Sequence, residues 1–153
     1  MYIRKKILFL LPLIFSLSVL SSDIEEIIVK GEYREKSLGE EDSSIAVIQS
    51  EQIKSQAIKH FQQLSHLVPN LNYAASDSRA RYFQIRGIGE RSGYQGTPNS
   101  SVGFLIDDID YSGQGGIATL FDVDQVEVFR GPQGSRSGAN ALAGLIYIKT
   151  KDP

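Results

Sequence analysis

The chain has 153 residues, of which 41% are hydrophobic and 22% are charged, and these values are typical of a single globular domain. The formal net charge is −2. Without the first 22 residues it becomes −5, with 13 Lys and Arg against 18 Asp and Glu, which argues against a nucleic-acid partner. The sequence contains no cysteine, so it excludes disulfides and thiolate metal sites.

Residues 1–22 have the pattern of a secretory signal peptide. Basic residues at positions 4–6 precede an apolar run over positions 7–20, and two serines follow it. A membrane anchor is the alternative, but the apolar run is shorter than the roughly 20 residues that a span needs. We therefore expect export, which leaves a flexible leader over residues 23–42 at the new N-terminus.

The leader is polar and charged except around Ile27, Ile28 and Val29, which Glu26 and Lys30 flank. A short, apolar, β-prone patch of this kind can add as a strand to the open edge of a partner's sheet. The alternative is that these residues form the first strand of the folded domain.

The ordered domain is expected to cover residues 43–153. Ile45 to Ile48 predicts a strand, and Ser50 is placed to cap the helix that follows it. Apolar residues then recur at steps of three and four from Ile53 to Val68. This spacing predicts two short helices with a break near Ala57.

The later half of the chain predicts a small sheet with long connections. Val126 and Val128 alternate with the polar Glu127, and this period of two indicates a strand with one buried and one polar face. Of the 14 glycines, 12 lie between Gly87 and Gly144, as expected for tight turns and loops. The predicted strands are Tyr82 to Arg86, Gly103 to Asp107, Gln125 to Arg130 and Leu145 to Thr150.

The stretch from Phe121 to Pro153 resembles the signature of the plug domain of TonB-dependent receptors. It contains Val126-Glu-Val-Phe-Arg-Gly-Pro132, then Asn140-Ala-Leu-Ala-Gly144 and Ile146-Tyr-Ile-Lys-Thr-Lys151, in the order of the family's strand, one-turn helix and final strand. Three earlier segments resemble the family in the same order, and Glu25 to Gly31 resembles its TonB box. These earlier segments are Ile53 to Asn70, Phe83-Gln-Ile-Arg-Gly87 and Val102 to Asp108.

The resemblance implies an α+β plug domain with a small mixed β-sheet, short helices and Gly-rich loops, which fills a barrel of the cell outer membrane. It implies no cofactor and no enzymatic activity. The implied partners are a TonB-like periplasmic energy transducer that grasps Glu26 to Lys30, the surrounding β-barrel, and a small-molecule cargo such as a ferric siderophore. A stand-alone periplasmic binding or signalling module with the plug fold is the alternative.

The resemblance also implies two groups of site residues. The first group is expected to contact the barrel wall or the rest of the plug, because arginine binds carboxylates through a planar fork and the lumen of a large barrel is polar. For its two arginines, surface side chains with no special partner are the alternative. The second group lies on a loop expected to face the ligand, although an ordinary solvated loop is the alternative. The first group is Arg86, Gly87, Glu127, Arg130, Gly131 and Asn140, and the second is Arg91, Tyr94, Gln95 and Asn99.

Three positions depart from the family pattern, since Ala143 and Asp108 stand where glycine is usual and Ala139 stands where an arginine is common. No catalytic or metal site is predicted. His60 and His66 are six residues apart and do not share a helical face, and no Gly-x-Ser-x-Gly sequence occurs. The Gly-rich segment after Gly131 lacks the lysine of a phosphate-binding loop.

Overall fold

The computed structural model describes residues 26–32, 34–75, 79–92, 99–114 and 118–153. The predicted signal peptide, residues 1–22, lies outside the described residues. Within the described ranges, no helix combines the length and the apolar character needed to cross a membrane.

Nine strands and three short α-helices follow one another in the described part of the chain. In chain order they are β1 (Ile28–Val29), β2 (Lys36–Ser37), β3 (Ile45–Gln49), α1 (Ser50–Ser55), α2 (Phe61–Leu64), β4 (Leu71–Ala75), β5 (Ala80–Ile85), β6 (Val102–Ile106), β7 (Ile109–Asp110), β8 (Val123–Arg130), α3 (Gly134–Ser137) and β9 (Gly144–Thr150), with a 3-10 turn at Leu38–Glu40.

A five-stranded mixed sheet forms the centre of the fold, in the order β3-β8-β9-β6-β7. Neighbouring strands are antiparallel except β6 and β9, which are parallel. Two antiparallel hairpins, β1 with β2 and β4 with β5, lie outside this sheet. The predicted α+β fold with a small mixed sheet and short helices is confirmed.

The helical segment breaks where the sequence predicts. Helices α1 and α2 are separate, and Ala57 between them has a positive φ of 52°. The predicted cap is wrong, because α1 begins at Ser50 itself and Gln49 precedes it. The Ser50 hydroxyl donates to the Glu51 carboxylate at 3.0 Å instead of accepting a bond from the first helical turn.

One face of the central sheet packs against the helices and the β4-β5 hairpin. Phe61 of α2, Phe83 of β5 and Phe104 of β6 meet there, with ring centroids 5.0 to 5.6 Å apart. Val126 and Val128 of β8 are fully buried on the same face. Aromatic rings bury a large area and gain from offset or edge-to-face contact, so this face holds the larger core.

The opposite face of the sheet is also covered, and the prediction of a polar face on β8 is wrong. Glu127 has no exposed surface, although it alternates with Val126 and Val128. A second apolar cluster surrounds this face, and part of the predicted leader packs onto it. The period of two correctly identified the strand, but it could not show that another segment covers the polar side. The buried members of this cluster are Val29, Leu105, Phe129, Ala141, Leu145 and Tyr147.

Candidate functional site

Residues 26–32, here called the N-terminal segment, lie across the second face of the sheet. Val29 is fully buried in the apolar cluster, whereas Ile28 is 42% exposed. β1 pairs with β2 in the register Ile28 to Ser37 and Val29 to Lys36. The Val29 side chain therefore attaches the predicted TonB box to the domain by apolar burial.

The buried carboxylate of Glu127 binds the N-terminal segment through its main chain. The backbone N–H of Lys30 donates to Oε1 at 2.6 Å, and the N–H of Gly31 donates to Oε2 at 2.7 Å. The Gln125 side-chain amide donates to Oε1 at 2.6 Å and to the Ile28 carbonyl at 2.8 Å. Hydrogen bonds to a charged acceptor are stronger than neutral ones, so Glu127 fixes the register of the segment on β8.

Burial raises the pKa of the Glu127 carboxyl above its ordinary value. The N–H groups of Lys30 and Gly31 and the Gln125 amide favour the charged form and act against this shift, but they do not cancel it. The carboxylate is thus held in position by three donors while its burial works against its charge.

Gly31 passes very close to the sheet. A Cβ atom at this position would lie 2.6 Å from Glu127 Oε2 and 2.7 Å from Phe129 Cε2. Nearby, the Lys30 ammonium forms an ion pair with Asp124 at 2.9 Å. The absence of a side chain at Gly31 lets the backbone approach the carboxylate. The ion pair attaches the neighbouring residue Lys30 to β8 through Asp124.

The predicted contact residues at the end of β8 hold the turn that follows. The Arg130 guanidinium donates to the Ile45 carbonyl at 3.4 Å, a long contact, and its backbone N–H donates to Ser44 at 2.8 Å. Gly131 has a φ of +140° and donates from its N–H to the Ala143 carbonyl at 3.0 Å. This connects the end of β8 with the chain just before β9.

Arg86 and Gly87 form a tight turn after β5. Both have positive φ values, 53° and 80°, and Arg86 donates from its backbone N–H to the Asn70 carbonyl at 2.9 Å. The Arg86 side chain is exposed. The two arginines bond different segments through their backbone N–H groups, Arg86 the carbonyl of Asn70 and Arg130 the carbonyl of Ser44.

Asn140, in the connection between α3 and β9, joins the loop before β6 to strand β7. Its side-chain oxygen accepts from the Ser100 N–H at 3.0 Å, and its amide donates to Asp110 at 2.9 Å. Glu90 fixes the same loop by accepting from the N–H and the hydroxyl of Ser101, at 2.9 and 2.7 Å. Asn140 thus connects Ser100 with Asp110 within the domain, and its role as a plug–barrel or intra-plug contact stays a prediction.

The predicted ligand-facing loop is only partly described. Arg91 and Asn99 are exposed at the two ends of the loop. Tyr94 and Gln95 lie outside the described residues. The prediction for this loop stays a prediction.

Two polar arrangements were missed by the sequence reasoning. Asp107 accepts bonds from the N–H and the hydroxyl of Thr150, at 3.0 and 2.5 Å. Although burial acts in the opposite direction, these bonds and the nearby Lys149 charge lower the pKa of Asp107.

In the second arrangement, Arg136 forms an ion pair with Asp108 and lies 4.9 Å from the centroid of the Tyr147 ring. The ion pair involves a turn residue, because Asp108 has a positive φ of 71°.

The described ranges contain no group of three or more His, Cys, Asp or Glu side chains that could hold a metal ion. The clustered polar groups of the second face consist of one buried carboxylate, one amide and main-chain N–H donors. This arrangement binds backbone, and its chemistry is that of an attachment site.

Comparison with known proteins places these features in a family context. Residues 37–145 match the family model described as the TonB-dependent receptor plug domain. The chain is 27% identical to the pesticin receptor of Yersinia pestis over 146 residues, which cover 94% of this chain and 21% of that receptor. A pesticin receptor of Yersinia enterocolitica is 29% identical over 111 residues, 72% of this chain and 16% of that receptor. The chain thus spans about a fifth of the length of the curated relatives it matches.

Solved structures agree with the family match. The ferric yersiniabactin uptake receptor from Yersinia pestis superposes with a TM-score of 0.62 and 28% identity, over 72% of this chain and 17% of that one. The ferripyoverdine receptor of the outer membrane of Pseudomonas aeruginosa gives a TM-score of 0.67 at 18% identity, over 83% of this chain and 16% of that one. The second similarity concerns the fold alone.

Proposed function

Because the chain belongs to the TonB-dependent receptor plug domain family, we propose that it closes the lumen of an outer-membrane β-barrel and opens it for energised uptake of a scarce solute. A TonB-like periplasmic energy transducer would bind residues 26–30 by strand addition and pull on them. The barrel and the transducer are the two protein partners of this proposal.

The observation that carries the proposal is the attachment of the N-terminal segment to the middle of the sheet. Glu127 holds the main chain of Lys30 and Gly31 directly on β8. β8 pairs with β3 on one side and β9 on the other, and the turn after β8 is bonded to Ala143. A force applied to the segment would therefore reach the central strands without passing through a long flexible linker.

The cargo is proposed from the relatives. One similar structure is a receptor for ferric yersiniabactin and another is a receptor for ferripyoverdine. We propose a ferric siderophore for this chain as well, received by the loop of residues 88–101. The bonds from Ser100 to Asn140 and from Ser101 to Glu90 hold one end of this loop in place, which suits a recognition surface.

Strand addition can be tested with synthetic peptides of residues 23–32, which carry the segment without the folded domain. The parent peptide should bind the periplasmic domain of TonB from the same organism, as measured by isothermal titration calorimetry. The Ile28→Pro peptide should not bind, because proline removes a main-chain donor and cannot pair in the middle of a strand.

The matched control is the Ile24→Pro peptide, in which the proline lies outside the apolar patch. It should bind as the parent peptide does. Failure of the parent peptide to bind, or equal binding by the Ile28→Pro peptide, contradicts the proposed coupling role.

A further inference from the structure

A groove lies beside α1, at the end of the central sheet where β8 begins. It has a volume of about 520 Å³ and is bounded by the connection from α1 to α2 and by residues 119–121. Main-chain contacts join these two sides. The Leu120 N–H donates to the Lys59 carbonyl at 3.1 Å, and His60 forms an antiparallel bridge with Thr119. The walls of the groove are therefore fixed relative to each other.

The end of α1 forms one wall of the groove. Ala57 follows the helix with a positive φ of 52°, and the chain turns back there. The Ala57 N–H donates to the Lys54 carbonyl and the Ile58 N–H to the Ile53 carbonyl, both at 3.0 Å. These are the two bonds of a Schellman motif, so both carbonyls already have a donor. Ile58 packs against the core cluster that contains Ile53.

The lining of the groove is largely apolar, and one aromatic ring beside it is uncovered. Ile53 and Leu120 are buried, whereas Phe121 is 93% exposed, the highest value for a large hydrophobic side chain among the described residues. A bound molecule would remove part of this ring from water, which is favourable. Grooves of this volume with an apolar lining and a few polar groups are typical of small-molecule sites.

The charge of the groove is opposite to that of the chain. Lys54 and Lys59 line it and are exposed, and no Asp or Glu is among its described lining residues. Neither lysine forms an ion pair with a described carboxylate, although Glu51 interacts electrostatically with Lys54. Asp122, the next residue after the lining stretch, is paired with Lys151 at 3.9 Å. The groove therefore favours a negatively charged ligand.

We propose that this groove binds a small amphipathic carboxylate of the fatty-acid class. The hydrocarbon part would lie against Ile53, Leu120 and Phe121, and the carboxylate would lie near Lys54 and Lys59. Lysine carries a compact charge on a flexible stem, so it can pair with a carboxylate whose position is not fixed by other bonds. A protein partner is a poorer fit, because a stable protein interface needs a contact of about 800 Å² on each side.

The groove is separate from the loop proposed to receive the cargo. The loop of residues 88–101 leads into β6 at Val102, which pairs with Gly144 at the start of β9. β8 begins at Val123, which pairs with Thr150 at the other end of β9. The two sites therefore lie at opposite ends of the sheet, and this inference does not depend on the proposed function.

Sodium decanoate is the probe for this site, and decylammonium chloride is its matched counterpart with the same hydrocarbon chain and the opposite charge. In heteronuclear NMR titrations of the full chain, decanoate should shift the amide signals of residues 53–60 and 119–121 in a saturable manner. Decylammonium should bind at least about fivefold more weakly at the same signals, because only cations line the groove.

Two variants test the assigned contacts. Phe121→Ala removes an exposed ring, so the domain should fold as the parent does while the affinity for decanoate falls by about fivefold. The double variant Lys54→Gln with Lys59→Gln should also bind decanoate about fivefold more weakly and should lose the preference over decylammonium. Lys36→Gln is the matched control, since it changes the same charge on β2 outside the groove, and it should bind as the parent does.

Three results would overturn the proposal, and all three are measured on the parent chain. The first is the absence of saturable shifts at residues 53–60 and 119–121 with decanoate. The second is equal affinity for decanoate and decylammonium, which would show apolar binding without selection for a carboxylate. The third is a concentration-dependent shift of the same signals without any probe, which would show that a second copy of the chain occupies the groove.

Discussion

The two faces of the central sheet are both buried, but they are buried by different means. On the first face, Phe61, Phe83 and Phe104 pack ring against ring between the helices and the sheet. On the second face, a short N-terminal segment is attached through main-chain bonds to Glu127 and through one buried side chain, Val29. The first face is covered by large apolar side chains, whereas polar bonds provide most of the attachment of the N-terminal segment to the second face.

This difference shows that two parts of one small domain can be attached by apolar burial in one case and mainly by polar bonds in the other. Apolar burial is roughly proportional to area, and the first face holds most of that area. Polar bonds to a buried carboxylate fix position more than they add stability, because the cost of burying the charge offsets them. The attachment of the N-terminal segment is therefore expected to contribute less to the free energy of unfolding than the packing on the first face.

The largest expected effect is on the first face. Phe61→Ala removes a fully buried ring that contacts two others, and it should lower the free energy of unfolding by about 3–5 kcal/mol. Chemical denaturation of the parent and the variant measures this loss. Phe121→Ala is the matched control, since Phe121 is 93% exposed and its loss should cost less than about 0.5 kcal/mol. Equal effects of the two substitutions would contradict the assignment of the core.

An intermediate effect is expected on the second face as the pH changes. Burial raises the pKa of Glu127 in the folded state above the ordinary 4.5. Between pH 4.5 and this raised pKa, the folded state therefore binds more protons than the unfolded state. Stability must then fall as the pH rises from about 4.5 through the raised pKa, by about 1.4 kcal/mol for each unit of the difference. Denaturation at several pH values should show this fall in the parent relative to Glu127→Gln.

The control for the pH series is Glu51→Gln. The hydrogen bond from its own backbone amide lowers the pKa of the exposed Glu51, so its contribution is present above 4.5 and is lost as the pH falls. The two glutamates should therefore give differences of opposite sign. A pH-independent difference between the parent and Glu127→Gln would show that Glu127 does not titrate differently in the folded and unfolded states.

The smallest effect is expected at the edge of the second face. Asp124→Asn removes the ion pair with Lys30. The side chains of both partners are about a third exposed. An ion pair of this kind contributes about 0–1 kcal/mol and weakens with added salt. Denaturation at low and high salt measures it. A loss above about 2 kcal/mol would mean that Asp124, and not Glu127, is the main attachment of the segment.

The sequence by itself determined the elements with strong periodicity or turn chemistry. The strands β3, β5, β6, β8 and β9 lie where alternation and glycine punctuation predict them, and the helices break near Ala57 as predicted. The ordered motifs from Ile53 to Lys151 pointed to the family that the comparisons then supported. These features depend on local spacing, which is visible along the chain.

Only the tertiary structure decided the role of Glu127. Its alternation with two valines indicated a polar face of the strand, and the resemblance implied a contact with the barrel wall or the rest of the plug. Neither showed that a segment 96 residues earlier in the chain covers it and donates the N–H of Gly31. The bridge that Asn140 makes between Ser100 and Asp110 of β7 was likewise not predictable, because these partners lie 40 and 30 residues away in the sequence. Local patterns report which face a side chain takes, whereas contacts distant in sequence decide what lies against that face.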